Sequence, residues 1–148
     1  MQTEIERKFL VKSDNYKKNA TQHYDIKQGF LNRDKHRTVR IRIKAQKGFI
    51  TVKGISSKDG LSRLEWEKEI NIQDALDLLQ LCEGNIIHKT RYEIKIDNHI
   101  FEVDEFHGKH EGLVIAEIEL KNENESFEKP DWLGEEVTGQ AEYYNSQL

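Results

Sequence analysis

Through most of this chain, apolar and fully charged residues take turns one for one. The stretch Val39–Lys44 is the plainest case, with Val39, Ile41 and Ile43 alternating with Arg40, Arg42 and Lys44. Successive side chains of an extended strand point to opposite faces, so such a stretch reads as a strand with one apolar and one ionic face. The same alternation marks Thr3–Val11, Gln22–Leu31, Arg37–Gln46, Phe49–Ile55, Leu64–Ile72, Ile86–Ile96, Ile100–Phe106 and Leu113–Lys121, which predicts eight strands. Turn chemistry at Gln46-Lys47-Gly48, Ser56 to Gly60 and Asp97-Asn98-His99 predicts antiparallel hairpins. One short capped helix is expected where Gln73-Asp74 precede Ala75, Leu76, Leu78, Leu79 and Cys82, with Gly84 beyond. After the eighth strand the pattern changes to helix and loop, punctuated by Pro130 and Gly134.

At 148 residues the chain has the length of a single domain spanning 1–148. Its 23 basic and 27 acidic side chains nearly cancel, to a net −4. That balance argues against nucleic-acid binding driven by bulk positive charge. No run of apolar residues is long enough to span a bilayer and the N-terminal stretch is charged from Glu4 onward, so neither a membrane span nor a signal peptide is expected. Cys82 has no second cysteine to pair with. A cytoplasmic location, with no membrane partner, follows as the expectation.

The ionic faces carry the functional information. Glu4, Glu6 and Lys8 share one face of the first strand; Arg63, Glu65, Glu67 and Glu69 share a face of the fifth; Lys89, Arg91, Glu93 and Lys95 share a face of the sixth. Glu102 with Asp104, and Glu117 with Glu119, complete the series. One such face on its own is a solvated outer surface. Like charges two residues apart on a strand lie about 7 Å from each other, so a stack of acidic and basic strands calls for cross-strand pairing, counterions or a charged ligand. A closed antiparallel barrel of eight strands with the charges turned inward supplies all three and leaves a lumen for a small ligand. Paired carboxylates are hard oxygen donors suited to Mg²⁺ or Mn²⁺. Arginines and lysines gathered on adjacent strands suit a phosphate chain. Together they describe a phosphoryl-transfer site.

The motif EIERK at Glu4–Lys8 is followed in order by QGFL (Gln28–Leu31), VRIRIK (Val39–Lys44), TVKG (Thr51–Gly54), SRLEWE (Ser62–Glu67), KTRY (Lys89–Tyr92), FEVDEF (Phe101–Phe106), AEIEL (Ala116–Leu120) and GEEVT (Gly134–Thr138). This series, covering nearly the whole chain, resembles the CYTH superfamily, or triphosphate tunnel metalloenzymes, and most of all its short bacterial members that hydrolyse inorganic triphosphate. The resemblance implies a closed eight-stranded antiparallel tunnel, a mainly β (α+β) fold, with a few helices outside. It implies that Glu4, Glu6, Asp104, Glu117 and Glu119 hold Mg²⁺ or Mn²⁺. Lys8, Arg40, Arg42, Lys53, Lys89 and Arg91 would clasp the triphosphate, and Lys8, Glu65 and Glu67 would act in catalysis. Phe30 stands where triphosphatase members often carry a tyrosine paired with the lysine of ExExK, so that pair is absent there and Tyr24 is a candidate substitute. Gly139-Gln140-Ala141-Glu142-Tyr143 brings an acid where relatives carry basic residues before a tyrosine.

The implied reaction is metal-dependent cleavage of inorganic triphosphate to phosphate and pyrophosphate. The alternatives within the resemblance are a class IV adenylyl cyclase or a thiamine or nucleoside triphosphatase; a polyphosphate-binding module without catalysis is a third class. Short loops offer no evident pocket for a base, and the full carboxylate set exceeds what anion binding requires. His23, His36, His88, His99, His107 and His110 match no zinc spacing and read as surface or structural. Trp66 and Trp132 read as packing residues, and Cys82 as a buried hydrophobe on the helix stripe. An apolar outer face must be covered by helices or a partner, so a homodimer is compatible with the sequence.

Overall fold

The computed structural model describes every residue, 1–148. One antiparallel sheet contains nine strands: β1 (Gln2–Val11), β2 (Gln22–Asn32), β3 (Arg37–Lys44), β4 (Lys47–Gly54), β5 (Ser62–Ile70), β6 (Glu83–Ile96), β7 (His99–Phe106), β8 (Val114–Leu120) and β9 (Leu133–Glu136). A single α-helix, α1 (Ile72–Leu79), connects β5 to β6. Around the sheet the order is β5-β4-β3-β2-β6-β7-β8-β1, and β1 pairs back onto β5. The first eight strands therefore close into a barrel, which leaves no edge among them unpaired.

Cross-strand register puts the charges on one side of the wall. Arg42 lies opposite Gln28, Lys53 opposite Glu65, Arg91 opposite Asp104, and Glu119 opposite Glu6. Directly opposed residues share a face, so this chain of pairs carries one ionic surface around the whole ring. The apolar core consequently sits outside the barrel. Phe9, Phe101, Val103, Ala116 and Ile118 project outward from β1, β7 and β8 and are covered by Tyr16, Trp132 and Leu133 from the segments before β2 and after β8. On the far side α1 covers β2, β3 and β4. Its Ala75 is fully buried over Gly48, where an added Cβ would come within 2.7 Å of the Ala75 Cβ.

Several local features differ from the sequence expectation. The helix cap is Asn71, whose side chain accepts the Gln73 N–H at 2.8 Å, so the helix begins ahead of Gln73-Asp74. Cys82 falls beyond the helix and is only half-buried. The turn joining β3 and β4 is Ala45-Gln46, with φ of 50° and 66° at the two positions, the geometry of a two-residue hairpin even though neither is glycine. Trp66 is 42% exposed on the outer face of β5 and packs in no core. Only one α-helix lies outside the barrel; the rest of the chain outside the strands is loops and short 3-10 turns.

The segment predicted as helix and loop forms β9 and two 3-10 turns, Ala141–Tyr143 and Asn145–Gln147. The reason lies in β1, which is longer than its partner. β5 pairs only with Gln2 to Ile5, and β9 takes the same edge further along, at Phe9 and Val11. A strand of four residues is too short to display alternation. Where β5 stops and β9 starts, the Leu61 carbonyl accepts the Glu6 N–H and Thr138 Oγ1 accepts the Lys8 N–H, both at 2.9 Å. Gly60 and Gly139 meet at this seam with φ of +77° and +79°, and a Cβ on Gly60 would come within 2.2 Å of the Gly139 Cα. Glycine is required there both by the backbone angle and by the close approach.

Candidate active site

The inward ionic face encloses a cavity of about 230 Å³ lined by 26 residues, of which only Phe30, Leu61 and Tyr144 are hydrophobic. A cavity with so few apolar walls is built for a charged ligand. Its charges are segregated. The neighbouring strands β7, β8, β1 and β5 contribute Glu102, Glu117, Glu119, Glu4, Glu6, Glu65 and Glu67, while β4, β3 and β6 contribute Lys53, Arg40, Arg42, Lys44, Lys89 and Arg91. Lys8 and Arg63 are the two cations set within the acidic arc.

The acidic arc holds more negative charge than its cations neutralise. Burial pushes the Glu6 carboxyl well up, reinforced by Glu117, with which it shares a hydrogen bond, and by Glu4. Burial would likewise raise Glu117, but the Lys8 ammonium, 3.8 Å away, and the Glu6 bond hold it well below the usual range. Glu119 is raised by burial and by Glu4 and Glu102. Desolvation is outweighed at Glu4 by Lys53, at 2.9 Å; Glu65, 3.5 Å from the same ammonium, is raised by burial and by Glu4. The Glu6–Glu117 hydrogen bond and the shared Lys53 thus offset part of the repulsion among the carboxyls. No three of them form a finished set of metal ligands.

Asp104 behaves differently from the other acids singled out in the sequence. Arg91 donates to it through Nε at 2.8 Å and Nη2 at 2.9 Å, and Lys89 Nζ lies 2.7 Å from Oδ2. It does not line the cavity. Although burial opposes ionisation, these two cations lower its pKa strongly. Glu102, the next inward residue of β7, does line the cavity and accepts from Arg91 Nη1 at 3.1 Å. Same-strand parity with Asp104 was the signal for Glu102, and parity with Glu65 the signal for Arg63.

On the basic arc, Arg42 donates through Nε to Gln28 Oε1 at 2.9 Å and is lowered to about 9 by burial and by Arg40 and Arg91. Arg40 is lowered by burial; it donates to Thr51 Oγ1 at 3.2 Å and lies 3.7 Å from Glu67, while its buried Nε has no partner. An unpartnered buried guanidinium N–H beside a cavity is a donor held ready for an anion. Lys89, 1% exposed, is lowered to about 7 by burial, against the pull of Asp104 and with the push of Arg91 and Arg42.

Every substrate-binding residue expected from the sequence lines this cavity, as do Glu4, Glu6, Glu65, Glu67, Glu117 and Glu119; Asp104 alone lies behind the wall. Tyr24 does not reach the cavity and gives its hydroxyl to Glu93. The aromatic side chain beside Lys8 is Tyr144, whose ring centroid lies 5.3 Å from Nζ, and the Tyr143 carbonyl accepts from that ammonium at 3.1 Å. Tyr144, Asn145 and Ser146 all line the cavity, in a stretch where no periodicity pointed to them.

The CYTH domain model matches residues 2–147. This chain belongs to the CYTH domain family. It is 50% identical over 149 residues to an inorganic triphosphatase of Acetivibrio thermocellus, covering all of this chain and 94% of that protein. It is 36% identical over 150 residues to an inorganic triphosphatase of Nitrosomonas europaea, covering 99% and 96%. A crystal structure of an inorganic triphosphatase superposes with a TM-score of 0.66 at 31% identity, covering 97% of this chain and 94% of that one. The barrel closed by β1 and β5 is thus the fold of this CYTH member.

Proposed function

We propose that this CYTH protein is a divalent-metal-dependent hydrolase that cleaves inorganic triphosphate to phosphate and pyrophosphate inside its barrel. The observation that carries the reading is the facing of a carboxylate arc and a guanidinium and ammonium arc across a single polar cavity. Inorganic triphosphatase is also the activity named for both curated relatives.

The donor set fits a hard cation: the oxygens are all carboxylate, and Glu6 and Glu119 are raised by burial and by repulsion from neighbouring carboxylates, which a divalent charge would relieve. Glu4, Glu6, Glu117 and Glu119, with Glu102 in place of Asp104, would hold Mg²⁺ or Mn²⁺, which supplies charge neutralisation and Lewis acidity beside a phosphoryl group. Arg40, Arg42, Lys53, Lys89 and Arg91 bind and orient the phosphate chain. Asp104 fixes the Arg91 guanidinium by its bidentate contact, so that charge is set in place before substrate arrives. Lys8 sits within the acidic arc beside Glu117, where it can steady charge as a water oxygen bonds to the terminal phosphorus and the bridging oxygen leaves with pyrophosphate. Glu65 holds Lys53, and Glu67 faces Arg40 and accepts from Thr51 at 2.7 Å, so both acids position basic groups. The cavity has no apolar cleft for a base, which favours a bare triphosphate over a nucleotide.

The test is direct. Purified protein with inorganic triphosphate and Mg²⁺ or Mn²⁺ should release phosphate and pyrophosphate, with little product from ATP and none in EDTA. Cyclic AMP from ATP, or no turnover of triphosphate with either metal, would overturn the reading.

A further inference from the structure

The C-terminal turn carries Asn145 into the cavity wall between Lys89 and Gln28. Its Oδ1 accepts from Lys89 Nζ at 2.8 Å and from Gln28 Nε2 at 2.7 Å. These contacts orient the carboxamide unambiguously. A lysine ammonium only donates, so the atom facing Lys89 must be the oxygen. Gln28 gives the same answer by a separate route: its Oε1 is held by the donor-only Arg42 Nε, which turns its amide nitrogen toward Asn145. With the oxygen committed to the wall, Asn145 Nδ2 has two N–H donors and no protein partner, in a residue that lines the cavity. Lys89 is in a related position. One of its three protons goes to Asp104 and one to Asn145, and the residue itself lines the cavity.

We infer that Asn145 is a substrate-binding residue, its Nδ2 donating to a phosphate oxygen while its Oδ1 positions Lys89 and, through Gln28, Arg42. The inference rests on the triphosphate reading of the same cavity. It makes the C-terminal turn part of the anion site and gives the phosphate chain a neutral donor beside Lys89, where a further cation would add to the repulsion from Arg91 and Arg42 that already works with burial against that ammonium.

Asn145→Asp tests it, because the carboxylate is nearly isosteric and keeps both contacts to Lys89 and Gln28 while replacing the two N–H donors with an acceptor. A residue with a purely structural role would tolerate that change, and next to cations its melting temperature should equal or exceed the wild type. As a donor to phosphate, it should weaken inorganic triphosphate binding by about tenfold or more. Asn145→Ala separates lost donation from added charge. It frees Lys89 and Gln28, so binding would hold or tighten if Asn145 only competed for them, and it should instead weaken. Binding of inorganic triphosphate is read by titration calorimetry in metal-free buffer, and KM and kcat by phosphate release with Mg²⁺; the expected loss falls mainly on KM. A wild type that neither binds nor cleaves inorganic triphosphate overturns both readings. A wild type that does both, with Asn145→Ala binding as tightly, overturns this one alone.

Discussion

At the scale of single residues, the site is a set of buried charges that each depend on a partner. Asp104 answers two cations at once, so removing it leaves Lys89 buried without a paired carboxylate and Arg91 with Glu102 alone. Breaking a buried pair from one side costs about 3–5 kcal/mol. Asp104→Ala should lower stability by about that amount in urea denaturation. Glu119→Gln should behave oppositely: the neutral side chain relieves repulsion with Glu4 and Glu102, so the metal-free protein should melt no lower than the wild type while metal-dependent turnover is lost. Lys89 gives a pH signature. Burial, outweighing Asp104 and aided by Arg91 and Arg42, lowers it to about 7. Above that value the folded protein loses a proton that the unfolded chain keeps up to about 10. The cost of burying the charge is therefore constant below pH 7 and is relieved as pH rises between the two values, so this group makes the free protein more stable toward alkaline pH. Triphosphate binding needs the charged form. KM should accordingly rise between pH 7 and 9, and the rise should be smaller in Lys89→Arg, whose guanidinium stays protonated.

At the scale of elements, two connections decide how well the barrel closes. The Ala45-Gln46 turn holds left-handed backbone angles without glycine. Gln46→Gly removes the Cβ penalty at φ 66° and should raise stability by up to about 1 kcal/mol, read as a shift in the urea midpoint with an unchanged slope. The seam where β5 gives way to β9 is the reverse case. Gly60→Ala would drive a Cβ into the Gly139 backbone, 2.2 Å away, and hold a left-handed φ of +77°. It should cost about 2 kcal/mol or more and also lower activity, because Lys8 lies on β1 at that seam and the Tyr143 carbonyl it donates to follows Gly139. Thermal melting together with triphosphate kinetics checks both parts. The hairpin was visible in the sequence as a turn, displaced by one residue at its start and two at its end because Gly48 drew it forward; in the structure that glycine serves contact with α1 instead. β9 was not visible, since its pairing depends on how far β5 runs along β1.

For the molecule as a whole, the barrel is turned inside out relative to the usual core: apolar residues pack outside the wall and ionic residues inside. The lumen is therefore a source of strain in the metal-free protein. A divalent cation binding only the folded state should raise the melting temperature in proportion to the logarithm of its concentration, and EDTA should reverse the shift. Inorganic triphosphate added with the metal should raise it further, which differential scanning calorimetry would read.

Sequence alone determined the eight barrel strands, their ionic faces and the charged inventory those faces bring, because a period of two fixes which side chains share a face whatever the strands then do. Lys8, Arg40, Arg42, Lys53, Lys89 and Arg91 were legible for that reason, as were the glutamates of β1, β5 and β8. Only the tertiary structure decided which of two same-face acids on β7 reaches the cavity. Asp104 and Glu102 have identical parity, and the height at which Arg91 crosses between strands selects the first as its clamp and leaves the second to the lumen. It alone also brought Asn145 to Lys89, across 56 positions in the chain. No periodicity encodes such a contact, because it arises where a nonrepeating tail meets the end of a closed ring.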